Sequence, residues 1–211
     1  MFKDRQEAAK LLAEKLGKYK NDDGIVLAIP RGGIPIGFVI ANEFNFPLEI
    51  ILSKKIGHPN NPEFAIGSVS LEGALIDDNV KNIPKMYIQI ETEKIQKQLK
   101  EKFKMFMGDR KLADLRNKTV IIIDDGIATG NTLLSSIKAI KKRNPNKIIV
   151  AVPVAPPTTA DKFKKEVDEF ICLLTPQNFL GVGQFYYDFS QVSDEEVIRL
   201  LERANNKKEL V

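Results

Sequence analysis

The chain has 211 residues, 43% of them hydrophobic and 28% charged, which is the make-up of an ordinary globular domain with a sizeable core. A net charge of +4 suits phosphate-bearing ligands and is too small to indicate a nucleic-acid surface. The single cysteine, Cys172, excludes an intramolecular disulfide and a cysteine metal cage, and any histidine-based site would rest on His58 alone.

No run approaches a membrane span, and Met1 to Lys20 is amphipathic rather than leader-like, so a cytoplasmic protein is expected. Ala8, Leu11, Leu12, Leu16 and Tyr19 mark one helical stripe, ended at Asn21-Asp22-Asp23-Gly24. Ile25 to Ile29 read as a buried strand. Pro30-Arg31-Gly32-Gly33 breaks the pattern, and Ile34 to Phe44 resume as a helix. Strand, glycine turn and helix form an anion-site layout: Gly32 and Gly33 let backbone approach a phosphate, and Arg31 supplies charge.

Phe46 to Ser53 give a second strand, followed directly by Lys54 and Lys55. His58 to Glu63 is a proline- and asparagine-rich loop, and Phe64 to Ser70 with Ala74 to Asp77 read as a hairpin around Glu72-Gly73. From Ile83-Pro84 to Met107 the chain predicts a long amphipathic helix, with Ile88, Ile95, Leu99, Phe103 and Phe106 on one face. Such a helix suits packing over the sheet, building part of a pocket, or meeting a second copy in a homodimer.

Thr119 to Ile123 is an apolar, β-branched strand that ends in two carboxylates, Asp124 and Asp125. The small-residue turn Gly126-Ile127-Ala128-Thr129-Gly130 follows, then Asn131, Thr132 and a helix from Leu133 to Arg143. Backbone N–H groups from Gly126 to Thr132 can converge on an anion at a helix N-terminus, with the Thr129 and Thr132 hydroxyls assisting. The two acids repel phosphate and suit sugar hydroxyls or a hydrated cation. The expected ligand carries phosphate at one end and a diol at the other.

Ile148 to Val152 and Phe170 to Leu174 are further strands, separated by a helix from Thr158 to Val167. The apolar surroundings of Cys172 predict a buried core thiol. Residues 175–188 are rich in glycine and aromatics, a composition suited to stacking on a planar ligand. Ser193 to Glu196 is a capping box for the final helix, and Lys207 onward reads as a frayed tail. No Walker loop is present, and Gly181-Val182-Gly183 fails as a dinucleotide fingerprint because position 186 is Tyr.

The stretch from Val120 to Thr132 resembles the signature loop of type I phosphoribosyltransferases, which bind phosphoribosyl pyrophosphate (PRPP). The resemblance implies an α/β fold: a mainly parallel sheet flanked by helices, with a β-hairpin and flexible loop and an inserted long helix. It implies one domain over 1–211, with the mobile loop and hairpin at 54–77, the inserted helix at 84–107 and an acceptor-side segment at 175–192. In that family Asp124 and Asp125 would hold the ribose hydroxyls, and Gly126 to Thr132 the 5-phosphate. Arg31, Gly32 and Gly33 would form the pyrophosphate loop, with a cis peptide at Arg31–Gly32, and Lys54 and Lys55 would reach the pyrophosphate, Lys55 foremost. Glu63 would exchange a proton with the acceptor. Pro176 to Phe179 resembles a base-binding segment, so Asn178, Phe179, Leu180 and Phe185 are the acceptor candidates. Mg²⁺ would be carried by PRPP and reach Asp124 and Asp125 through water.

Two positions depart from the hypoxanthine-type pattern: Ala128 stands where a third acid would be, and Asn178 where a base-reading lysine would be. Over its length the chain is most similar to a stand-alone bacterial group with an unassigned acceptor. The implied activity is transfer of the 5-phosphoribosyl group to a nitrogenous, nucleobase-like acceptor with release of pyrophosphate, without nucleic-acid or membrane partners. A non-catalytic PRPP sensor and a hydrolase of PRPP or nucleotides are the alternatives.

Overall fold

In the computed structural model, which describes residues 1–77, 80 and 82–206 apart from the Thr132 side chain, the apolar runs form a five-stranded sheet. Strands β1 (Gly24–Ala28) and β6 (Thr119–Ile123) are buried at every residue, as expected for parallel strands covered on both faces. Together with β2 (Leu48–Ile50), β7 (Lys147–Val154) and β8 (Glu169–Leu174) they run parallel in the order β2-β1-β6-β7-β8.

Alternation along each strand divides the core in two. Val26, Ala28, Ile121, Ile123, Ile149 and Ala151 pack under α1 (Arg5–Leu16), α2 (Gly33–Phe44) and α6 (Asp194–Asn206). Ile25, Leu27, Val120, Ile122, Ile148 and Val150 face α4 (Asn131–Lys141) and α5 (Pro157–Lys164). Helix α2 stops at Asn45, whose left-handed backbone (φ 56°) lets its N–H cap Ala41.

The chain leaves β1 toward β2 on one side and later returns to β6 on the other. The carboxyl ends of β1 and β6 therefore flank the switch point of the sheet, where open α/β folds hold their ligands.

Between β2 and β6 lies a separate antiparallel sheet of β3 (Ser53–His58), β4 (Asn61–Ser70) and β5 (Ala74–Ile76). Two expectations are corrected here. The strand predicted over Phe46 to Ser53 is split: β2 ends at Ile50 and Ser53 already pairs with Ser70. The predicted loop from His58 to Glu63 is mostly strand, because Asn61 pairs back onto His58 and leaves a tight turn. The register shifts beside Gly57, where a Cβ would lie 2.5 Å from the Pro62 carbonyl.

Helix α3 (Lys85–Met107) buries Ile95, Leu99, Phe106 and Met107, and the Tyr87 hydroxyl donates to the Gly57 carbonyl at 2.8 Å. It lies against the hairpin sheet and α6 rather than over the main sheet. Helix α4 starts at Asn131, two residues before the expected Leu133, and α5 ends at Lys164 rather than Val167. Cys172 is half-buried and donates to the Leu174 carbonyl; burial pushes its thiol up to about 11. Among the described residues no helix is long and apolar enough to cross a membrane. The predicted frayed tail from Lys207 lies outside the described residues.

Candidate active site

At the end of β6 the two acids turn different ways. Asp124 lines a cleft of about 550 Å³ together with Gly126 to Asn131, Pro30 and Lys54. Its Oδ1 accepts the Asp125 N–H at 2.8 Å. Burial, and next the neighbouring Asp125 charge, hold its carboxyl well above the usual range. Asp125 instead lines a second cleft of about 340 Å³ with Arg5, Arg31, Gly32 and residues 189–192. Burial raises its carboxyl, opposed by Arg5. The sequence assigned the two acids one task; the structure separates them.

The loop after Asp125 has the expected form with one correction. The Ile127 N–H is engaged by the Val154 carbonyl at 3.0 Å, so it faces β7 and not a ligand. The N–H groups of Ala128, Thr129, Gly130 and Asn131 make no hydrogen bond within the described residues. Gly130 adopts φ +66°, and a Cβ there would lie 2.3 Å from the Phe163 ring, so both backbone and space require glycine. Gly126 is closed in by Val182 and Val154. Thr132 belongs to α4, and its side chain lies outside the described residues.

The loop after β1 lies directly against this one. A Cβ on Gly32 would stand 1.9 Å from Asp125 Oδ2, and one on Gly33 2.7 Å from the Ile123 carbonyl. The cis peptide predicted at Arg31–Gly32 is corrected: it lies one bond earlier, at Pro30–Arg31. The Gly33 N–H is spent on the Ile29 carbonyl at 2.9 Å, while those of Arg31 and Gly32 make no such bond among the described residues. The Arg31 side chain lines the second cleft and sits 3.7 Å from Asp194 at the start of α6.

The lysine pair is divided by the pleat of β3. Lys54 lines the larger cleft and donates to Gln98 at 3.0 Å. Lys55, expected to lead, points elsewhere and pairs with Glu63 at 2.9 Å. The Glu63 side chain is 92% exposed, and the linings of both clefts omit it.

The acceptor candidates also fall outside those linings. Phe179 and Phe185 stack on each other at 5.6 Å, Leu180 is 97% exposed, and the Asn178 carbonyl accepts from Gln184 at 3.1 Å. The segment meets the site through Val182, against Gly126, and through Tyr186, whose hydroxyl donates to the Asp125 carbonyl at 2.7 Å. Burial first, then the Asp125 charge, push the Tyr186 phenol far above its ordinary value.

Several residues at the site escaped the sequence reading. Arg5 is brought to Asp125 because Phe2 bridges to Tyr186 and Asp4 caps α1, which fixes the first turn of that helix against residues 185–188. Phe189 lies under the Arg5 guanidinium at 4.0 Å. Gln98 and Lys102 of α3 reach the larger cleft. No local pattern marks Arg5; only the i,i+4 spacing of Gln98 and Lys102 was available, and it names a shared face without naming its neighbour.

A family model described as phosphoribosyl transferase domain matches residues 2–190. Two Mycobacterium tuberculosis proteins named "Putative phosphoribosyl transferase" are 33% identical over 209 residues, covering 97% of this chain and 47% of each relative. The chain thus spans about half the length of the curated relatives it matches. The crystal structure of TT1426 from Thermus thermophilus aligns with a TM-score of 0.87 at 31% identity, over 96% of this chain and 98% of that one. A purine phosphoribosyltransferase from Pyrococcus horikoshii shares the fold, with a TM-score of 0.50 at 20% identity over 90% of this chain and 92% of that one.

Proposed function

This chain belongs to the phosphoribosyl transferase family, and from that premise we propose that it transfers the 5-phosphoribosyl group of PRPP to a nitrogenous, nucleobase-like acceptor. The observation that carries this reading is the run Ala128 to Asn131. Its four N–H groups make no hydrogen bond among the described residues, and its residues line the same cleft as Asp124 at the sheet's switch point.

In the reaction the acceptor nitrogen bonds to C1 of the ribose as the bond from C1 to the pyrophosphate oxygen breaks. Positive charge grows on the ribose and negative charge on the leaving group. The loop from Ala128 to Asn131 holds the 5-phosphate, and Asp124 meets the hydroxyls and favours the cationic ribose. Lys54, in the same cleft, receives the pyrophosphate, and the Arg31–Gly32 turn, which lines the second cleft, assists through its N–H groups. Asp125 contributes by holding Arg5 and the Gly32 loop in place. Glu63 accepts the acceptor's proton only if the hairpin tip folds inward and Lys55 releases it, a closure of the kind that excludes water.

Among the described residues no three His, Cys, Asp or Glu side chains gather to hold a metal. The Asp124 carboxylate, beside N–H groups that make no hydrogen bond among the described residues, fits Mg²⁺ that arrives hydrated on the donor's phosphates. When bound there, Mg²⁺ would neutralise charge on the leaving pyrophosphate.

Calorimetric titration of PRPP with Mg²⁺ tests the reading in the wild type, Asp124→Asn and Lys54→Ala. Binding in the wild type, weakened at least about tenfold in both variants, supports it. A screen of nucleobases and amines for pyrophosphate release then identifies the acceptor. Binding without turnover would indicate a sensor, and pyrophosphate release in buffer alone a hydrolase. No binding at millimolar PRPP overturns the reading.

A further inference from the structure

Helix α3 is held at both ends of its buried stripe, by Tyr87 on the Gly57 carbonyl and by Leu99, Phe106 and Met107 in the core. Gln98 and Lys102, one turn apart and therefore on one face, line the larger cleft together with the loop from Ala128 to Asn131. Gln98 Oε1 accepts from Lys54 Nζ at 3.0 Å, which brings the β3 lysine to the same wall. Lys102 Nζ lies 5.6 Å from the Phe106 ring. Among the described residues neither lysine forms an ion pair. Among the described residues Asp124 is the one acid in the cleft lining.

Two ammonium groups without an ion pair among the described residues, lining one cleft with backbone N–H groups that make no hydrogen bond among those residues, call for an anion with more than one charged oxygen cluster. We propose that α3 is a binding wall of the active site, in which Lys102 contacts a phosphate group of the donor and Gln98 positions Lys54 for the same purpose. The assignment rests on the proposed function and extends it to a helix for which the sequence left three roles open.

The test is calorimetric titration of PRPP with Mg²⁺, and separately of inorganic pyrophosphate, into the wild type, Lys102→Ala, Lys102→Arg and Lys100→Ala, with a melting temperature for each. Lys102→Ala should weaken PRPP binding about tenfold without changing the melting temperature. Lys102→Arg should restore most of the affinity, and Lys100→Ala, outside the cleft lining, should match the wild type. If the wild type binds PRPP and Lys102→Ala binds it equally well, the proposal is wrong while the function stands. A loss in Lys102→Ala that comes with a lower melting temperature and is not restored by arginine marks a packing role, and also overturns it. If the wild type binds no PRPP, the proposed function fails first and the α3 assignment with it.

Discussion

Arg5 and Asp125, 120 positions apart, are joined by two hydrogen bonds to a single oxygen: Nε at 2.9 Å and Nη2 at 2.8 Å, both to Oδ2. The third donor, Nη1, holds the Ser190 carbonyl at 2.8 Å, and Phe189 lies against the guanidinium face. One arginine thus ties the first helix, the acidic pair and the C-terminal segment into one unit.

Both side chains of this pair are little exposed, 11% for Arg5 and 13% for Asp125. Arg5→Ala would leave a nearly buried carboxylate alone, and should cost roughly 3 kcal/mol in urea denaturation at pH 7. The sign with pH follows from Arg5 lowering the Asp125 pKa against burial. That stabilisation is present where Asp125 is ionised and disappears as pH falls through its folded pKa. The gap between wild type and variant should therefore close toward pH 4. An equal gap at both pH values would contradict this account.

Asp124 has the opposite linkage. Its folded pKa is raised by burial and by Asp125, so its ionisation opposes folding. The penalty is absent at low pH, develops as pH rises from the unfolded value, and is complete above the folded one. Asp124→Asn should accordingly be more stable than wild type at pH 8 and equal to it near pH 3, while losing PRPP affinity. A variant both less stable and weaker in binding would show that Asp124 serves the fold rather than the ligand.

Gly32 has an ordinary helical backbone, φ −63° and ψ −32°, so its substitution is a purely steric experiment. The added methyl of Gly32→Ala would stand 1.9 Å from Asp125 Oδ2. Displacing that carboxylate should cost about 1–3 kcal/mol and lower turnover at least tenfold. Thermal melts and pyrophosphate-release rates read both; wild-type values in each would mean the two loops are farther apart in solution.

Lys54 and Lys55 give a direct comparison of adjacent residues. Lys54→Ala should raise the KM for PRPP about tenfold. Lys55→Ala breaks a pair whose Glu63 side chain is 92% exposed, and stability should change by less than about 1 kcal/mol. An equal rise in KM for both would place Lys55 on the ligand after hairpin closure, with Glu63→Gln the next variant to assay.

The parallel core was legible because β6 and β7 are long β-branched runs, which only a doubly covered strand accommodates. The turn after Asp125 was legible for a similar reason: Gly130 answers to local backbone geometry, and its neighbours at the start of α4 expose N–H groups wherever that helix packs. The hairpin was less so, since proline and asparagine at 59–62 signal a loop while pairing of Asn61 to His58 makes it strand. The acceptor segment was read from its composition and from the resemblance of Pro176 to Phe179 to a base-binding segment, neither of which signals that Phe179 and Phe185 stack on each other.

By itself the sequence determined most strand and helix types and the strand–acid–glycine loop–helix order. These depend on neighbours within a few residues, where periodicity and backbone freedom act. The tertiary structure alone decided that Asp124 faces the larger cleft while Asp125 turns to Arg5, that Lys54 rather than Lys55 lines that cleft, and that α3 brings Gln98 and Lys102 to its wall. Each of those is a meeting of side chains from distant segments, set by how helices and hairpin pack on the sheet.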